Sequence, residues 1–177
     1  GGVAVITATI SAAHSKDVTI PLTVTGTSTI DTDYSAAFAS KGPRTVAGTG
    51  TSGSGTNQLF NPSGIHVDSS GNLYIAEQTN HRVMKWAPGA TEGTVVAGGN
   101  GKGSATNQLN LVGAESVGVH VDSSGNIYIA DQSNHRVMKW GSTYSDGGTV
   151  VAGTTGSSGA GTDKLHNPLG VPVGSSG

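Results

Sequence analysis

A 23-residue word occurs twice in this chain with only four differences, and no other feature constrains the fold as tightly. Gly64 to Trp86 reads GIHVDSSGNLYIAEQTNHRVMKW, and Gly118 to Trp140 reads GVHVDSSGNIYIADQSNHRVMKW, at an offset of 54 residues. The exchanges are Ile65/Val119, Leu73/Ile127, Glu77/Asp131 and Thr79/Ser133, each conservative. A second shared word follows each copy: Thr94-Val95-Val96-Ala97-Gly98 and Thr149-Val150-Val151-Ala152-Gly153. A fragment of it, Thr45-Val46-Ala47-Gly48, precedes the first copy, and Asn167 to Gly177 echoes Asn61 to Gly71. A period of this size means supersecondary units that cannot bury their apolar faces alone and must stack.

Each unit parses into four short strands. Ile65 to Val67 alternates apolar and polar residues with period 2. Asp68-Ser69-Ser70-Gly71-Asn72 is a turn, because Asp and Ser bond nearby backbone N–H groups and Gly accepts a positive φ. Leu73 to Ala76, Arg82 to Trp86 and Thr94 to Ala97 follow as strands, separated by Gln78-Thr79-Asn80 and Pro88-Gly89. Four antiparallel strands at near-constant spacing describe a propeller blade, so the expected class is all-β with two complete blades.

The words G-[IV]-H-V-D-S-S-G-N-[LI]-Y-I-A-[DE]-Q-[ST]-N-H-R-V at Gly64–Val83 and Gly118–Val137 resemble NHL repeats. The resemblance covers about residues 43–177. It implies a β-propeller, commonly six-bladed, with the first strand of each blade lining a central channel. It sets blades at about 64–98 and 118–153, with loose strands at 45–48 and 171–173. Residues 1–35 differ. Val3 to Ile10 and Val18 to Val24 alternate like strands, and Gly26-Thr27-Ser28-Thr29-Ile30-Asp31-Thr32-Asp33-Tyr34 follows. This stretch resembles part of a Calx-β module, a β-sandwich, and residues 36–44 then serve as a linker. A sandwich segment of this length has no complete core.

Composition bears on partners. Charged residues make up 11% and the formal net charge is −2, so bulk attraction to nucleic acid or to an anionic membrane is not expected. No run approaches the roughly 20 apolar residues of a membrane-spanning helix. There is no cysteine, which excludes disulfides and thiolate metal sites. Low charge with 29 glycines and abundant Ser and Thr is typical of extracellular or cell-surface proteins.

The candidate ligand-binding residues are His66, His120, Trp86 and Trp140. His66 and His120 share a place in the first strand, where imidazoles directed into a channel could meet a metal. Pro172 holds that place in the third copy, so no metal or other cofactor is expected. Trp86 and Trp140 end the third strand, where an indole packs between blades or offers a flat face to a sugar. Asp68, Asn80, His81 and Arg82, with Asp122, Asn134, His135 and Arg136, form the repeated structural motif. Arg82 is expected to pair with Glu77 and Arg136 with Asp131. Some relatives bind RNA through a basic face, which Lys85 and Lys139 only faintly suggest.

Within the resemblance, amidating lyases place a zinc-bound His just before the first strand. Those positions here are Ser63, Val117 and Leu169. No catalytic residue is therefore assigned. The expected function is a non-catalytic extracellular structural or interaction module. The alternatives are a lectin-like propeller that binds glycans and part of a lyase or lactonase whose catalytic residues lie elsewhere. Two blades cannot close a ring, so partners are expected to be further blades from the same or a neighbouring chain, as a longer propeller, a homo-oligomer or a filament.

Overall fold

The computed structural model describes residues 45–113, 116–141, 143–172 and 174. Two four-stranded antiparallel sheets hold nearly all the regular structure. The first runs β1 (Pro62–Val67), β2 (Leu73–Glu77), β3 (Arg82–Trp86) and β4 (Thr94–Gly98). The second runs β5 (Val119–Val121), β6 (Ile127–Asp131), β7 (Arg136–Trp140) and β8 (Gly148–Ala152). Both are simple meanders in which each strand pairs with the next. Among the described residues, helix is confined to two single 3-10 turns, Gln132–Asn134 and Tyr144–Asp146. The class is all-β, and the blade-like order of strands matches the expectation. The Calx-β-like segment and the linker lie outside the described residues.

The registers repeat between units. Ile75 pairs with Met84 and Ile129 with Met138. Each third strand carries a bulge where it meets the fourth, between Val83 and Met84 and between Val137 and Met138. The first hairpin turns on Asp68. Its Oδ1 accepts from Ser70 N at 3.0 Å and Asn72 N at 2.9 Å, and its Oδ2 from Asn72 Nδ2 at 2.8 Å. Asp122 makes the same bonds to Ser124 and Asn126.

Side-chain alternation gives each sheet two apolar faces. Tyr74, Ala76, Val83 and Ala97 on one face of the first sheet pack against Val121, Ile127, Ile129, Met138 and Trp140 of the second. Leu109, Leu111 and Val117 from the connection complete that core. The opposite face of the first sheet gathers Ile75, Met84 and Trp86 with Ala47, Leu59, Leu73 and Val95.

Residues 45–48 are not a strand, contrary to the expectation, and neither are 171–172; residue 173 lies outside the described residues. A strand needs a ladder, and neither stretch has a ladder partner among the described residues. Ala47 nevertheless packs on the first sheet beside Leu59, as Ala97 packs with Leu109 on the second. The side-chain pattern of a fourth strand is kept while its hydrogen bonding is not.

The units approach closely at their first strands. A methyl group at Gly64 would collide with the Val117 carbonyl, and one at Gly118 with the Leu169 carbonyl. Only glycine fits there because a neighbour's backbone occupies the side-chain space.

Candidate functional site: a polar clamp within and between the repeats

Between units the chain makes a small loop ahead of each first strand. Gly53 N donates to Leu59 O, Gly103 N to Leu109 O and Gly159 N to Leu165 O. Such a loop leaves several carbonyls pointing at its own centre, and those carbonyls need donors. Arg82 and Arg136 supply them from the start of each third strand.

Arg82 donates to the carbonyls of Ser54 at 2.8 Å, Gly55 at 3.1 Å and Gln58 at 3.3 Å. Arg136 donates to those of Ser104 at 2.8 Å, Ala105 at 3.2 Å and Gln108 at 3.1 Å. Each Nε faces a carboxylate across the hairpin, Glu77 at 2.5 Å and Asp131 at 2.8 Å. The expected pairs are therefore present, and both are buried. A guanidinium suits this place because its planar fork serves a carboxylate and several carbonyls together.

The carboxylates are satisfied in turn. Glu77 Oε1 accepts from Phe60 N and Asn80 Nδ2, both at 2.7 Å. Asp131 accepts from Asn110 N and Asn134 Nδ2, both at 2.8 Å. The same Asn side chains reach the loop carbonyls of Gly53 and Gly103, each at 2.9 Å. Asn80, Arg82, Asn134 and Arg136 thus tie the loop to the sheet of their own unit.

The histidine between Asn and Arg faces the other way. His81 and His135 adopt left-handed backbone, with φ of 49° and 56°. His81 Nδ1 accepts from Leu111 N at 3.2 Å, and His135 Nδ1 from Asn167 N at 3.3 Å. Leu111 belongs to the segment leading into β5, and Asn167 to the equivalent segment after β8. The imidazole must be neutral at Nδ1 to accept, so its proton sits on Nε2. Burial pushes His81 below the ordinary imidazole value, the charge of Lys102 pushes the same way, and Asp131 opposes them. Tyr144 adds another tie, its hydroxyl donating to the Gly98 carbonyl of the first sheet.

His66 and His120 come together as neighbouring first strands place them. Their ring centroids lie 4.8 Å apart at 57°, and Tyr74 stands edge-on to His66 at 6.4 Å. Burial holds His66 below its ordinary value, His120 pushes further down and Asp68 resists. No group of three or more His, Cys, Asp or Glu placed to hold a metal occurs among the described residues.

Trp86 and Trp140 are not ligand platforms. They are 1% and 0% exposed, because the third strand's alternation turns both indoles into the apolar faces of the sheets. The flat face on which the carbohydrate reading rested is not available. Asp68 and Asp122 likewise have no spare oxygen for a cation, since both oxygens of each accept hydrogen bonds in the turn, Oδ2 also from Tyr74 or Tyr128. Hydrogen bonds from Asn72 hold Asp68 below the usual carboxylate range. Lys85 and Lys139 lie 5.4 Å from the centroids of Tyr74 and Tyr128, each over a ring of its own unit.

The loop residues of the clamp, Gly53 to Gln58 and Gly103 to Gln108, are absent from the sequence-based candidates. Their signal is Thr56-Asn57-Gln58-Leu59 against Thr106-Asn107-Gln108-Leu109, with Thr162-Asp163-Lys164-Leu165 as a third copy. That word recurs at an offset of 50 residues, because the stretch after Leu109 is four residues longer than the stretch after Leu59.

No known protein-family profile matches the chain, and no curated protein matches it. Among solved structures the chain is similar to a structural-genomics protein of unknown function from Bacteroides thetaiotaomicron, with 23% identity and a TM-score of 0.43. That similarity covers 56% of this chain and 26% of the other, so the chain spans about a quarter of that protein's length.

Proposed function

We propose that residues 45–177 are part of an NHL-repeat β-propeller that acts outside the cell as a non-catalytic structural or interaction module. The observation that carries this reading is where the repeated polar residues are spent. Asn80, His81 and Arg82 direct their side chains to backbone groups of adjoining loops, and Asn134, His135 and Arg136 do the same. A catalytic group needs a free functional atom beside a substrate cavity. The motif is occupied with tying each loop to its own sheet through Asn and Arg, and with holding the following segment through His. The two units also carry nearly the same residues, whereas a catalytic centre on a propeller draws different groups from different blades.

The test is turnover by the full chain on ester, lactone, glycoside and amidated-peptide substrates, with His66→Ala and His120→Ala as mapping variants. No turnover above buffer is expected. Activity that a substitution within residues 45–177 abolishes would overturn the reading. The extracellular assignment has its own test. Cell fractionation with an antibody to the chain should find it in the medium or at the cell surface, and a cytoplasmic pool would overturn that part.

A further inference from the structure

We infer that Asn100 is a site of spontaneous covalent modification, losing its side-chain amide to attack by the backbone nitrogen of Gly101, and that this conversion releases a tie between the two units. Asn100-Gly101 is the one Asn-Gly pair in the chain, in the loop after β4. The corresponding stretches of the other copies, Gly48-Thr49-Gly50-Thr51 and Gly153-Thr154-Thr155-Gly156, contain no asparagine. The pair therefore belongs to this loop and not to the repeat.

The chemistry is a ring closure. The Gly101 nitrogen gives its proton to solvent base and attacks Asn100 Cγ. A Cγ–N bond forms, the Cγ–Nδ2 bond breaks, and Nδ2 leaves as ammonia with a proton returned from solvent. The product is a five-membered succinimide. Water then opens the ring at either carbonyl. One opening gives aspartate in the ordinary chain, and the other gives isoaspartate, in which the backbone runs through the former side chain.

The structure leaves each participant accessible. Asn100 and Gly101 are both exposed, so water and base reach them. Gly101 N makes no hydrogen bond to a described residue, which leaves it free to lose its proton. A methyl group at Gly101 would meet nothing, so no neighbour crowds the attacking nitrogen, and its φ of +78° is unstrained only for glycine. The Asn100 amide is held by long bonds alone. Nδ2 donates to Asn107 O at 3.1 Å, Gly98 O at 3.4 Å and Tyr144 Oη at 3.5 Å. At an exposed site water replaces such bonds at little cost.

The same contacts give the conversion its consequence. Tyr144, between β7 and β8, donates its hydroxyl to the Gly98 carbonyl at the end of β4, and the Asn100 amide sits beside both. A carboxylate there has no donor for the carbonyls of Gly98 and Asn107 and is repelled by them. It also accepts the Tyr144 proton more strongly than a carbonyl does, drawing the hydroxyl away from the first sheet.

Incubation of the full chain in mildly alkaline buffer, with timed tryptic digests, tests the site. Cleavage after Lys85 and Lys102 releases residues 86–102, in which Asn100 is the only asparagine. This peptide should gain the mass difference between an amide and an acid and appear as two products, aspartate and isoaspartate. Asn107, exposed in the same loop but followed by Gln108, should stay intact. Gly101→Ala, which puts a Cβ beside the attacking nitrogen, should slow the conversion by about tenfold or more. Asn100→Asp should lower the thermal midpoint in the wild-type background, and by less than half as much in Tyr144→Phe, where the tie is already gone. Circular dichroism checks that each variant is folded. Conversion at Asn100 no faster than at Asn107 overturns the site. An equal cost of Asn100→Asp with and without the Tyr144 hydroxyl overturns the release of the tie.

Discussion

Replacing Arg136 by Met removes the guanidinium on which the second unit's loop and hairpin converge. Arg136 is 2% exposed, pairs with Asp131 at 2.8 Å and feeds three loop carbonyls. Removing one member of a buried ion pair costs about 3–5 kcal/mol, because the other charge stays in a poorly screening interior. Two features soften that loss here. Asp131 keeps Asn110 N and Asn134 Nδ2 at 2.8 Å each. The loop carbonyls of Ser104 and Ala105 belong to exposed residues, where water can replace the lost donors. The expected cost is thus near the lower bound, about 3 kcal/mol. With a urea slope of about 2 kcal/mol per molar, the midpoint should fall by about 1.5 M. Unfolding can be followed by the fluorescence of the buried indoles. Arg136→Lys keeps the charge but loses the fork, and should fall between wild type and Met. A loss under about 1 kcal/mol for the Met variant, or a Lys variant as stable as wild type, would refute the clamp as a main support of the unit.

Gly64→Ala should lower the thermal midpoint more than Gly141→Ala, because a methyl at Gly64 meets the Val117 carbonyl while one at the exposed Gly141 meets nothing. Acid should loosen the contact between units. His81 sits below its unfolded value of 6.5, so its contribution is complete above about pH 6.5 and is lost as pH falls through the lower folded value. A thermal midpoint that does not drop between about pH 8 and pH 5, or drops equally in His81→Gln, would contradict this. Asp68 is shifted down from 3.8, so the first hairpin keeps its turn bonds above that pH and loses them as pH falls through the folded value. Amide exchange at Ser70 and Asn72 should accelerate in that range. Finally, tryptophan emission should be blue-shifted and unchanged by added sugars, since both indoles are buried. A sugar-dependent shift would reopen the carbohydrate reading.

Much of this was legible in the sequence because strands and turns are local. The strand from Leu73 to Ala76 and the Asp68 turn follow from short stretches of chain, whereas the need for glycine at 64 comes from the Val117 carbonyl of the other unit. The pairing of Arg82 with Glu77 was legible too, since both lie on one hairpin. The clamp loops were not. Ser54 and Arg82 are 28 residues apart, and an exposed Gly/Ser stretch carries no pattern that announces its carbonyls as the partners of a buried guanidinium. The Trp residues illustrate the same limit. A Trp at a strand end fits a core or a surface equally well until the neighbouring elements are placed.

Hydrophobic alternation and turn chemistry act over a few residues, so the four short strands of the unit, their turns and the two near-copies are all written locally in the chain. The tertiary structure decided what the motif residues do. His81 and His135 accept from backbone N–H groups of the segments that follow, and Arg82 and Arg136 thread their own loops. It also buried both indoles, Trp86 and Trp140, at 1% and 0% exposed. Burial depends on which surfaces meet, and residues repeated almost unchanged along a chain cannot say where the stacking continues.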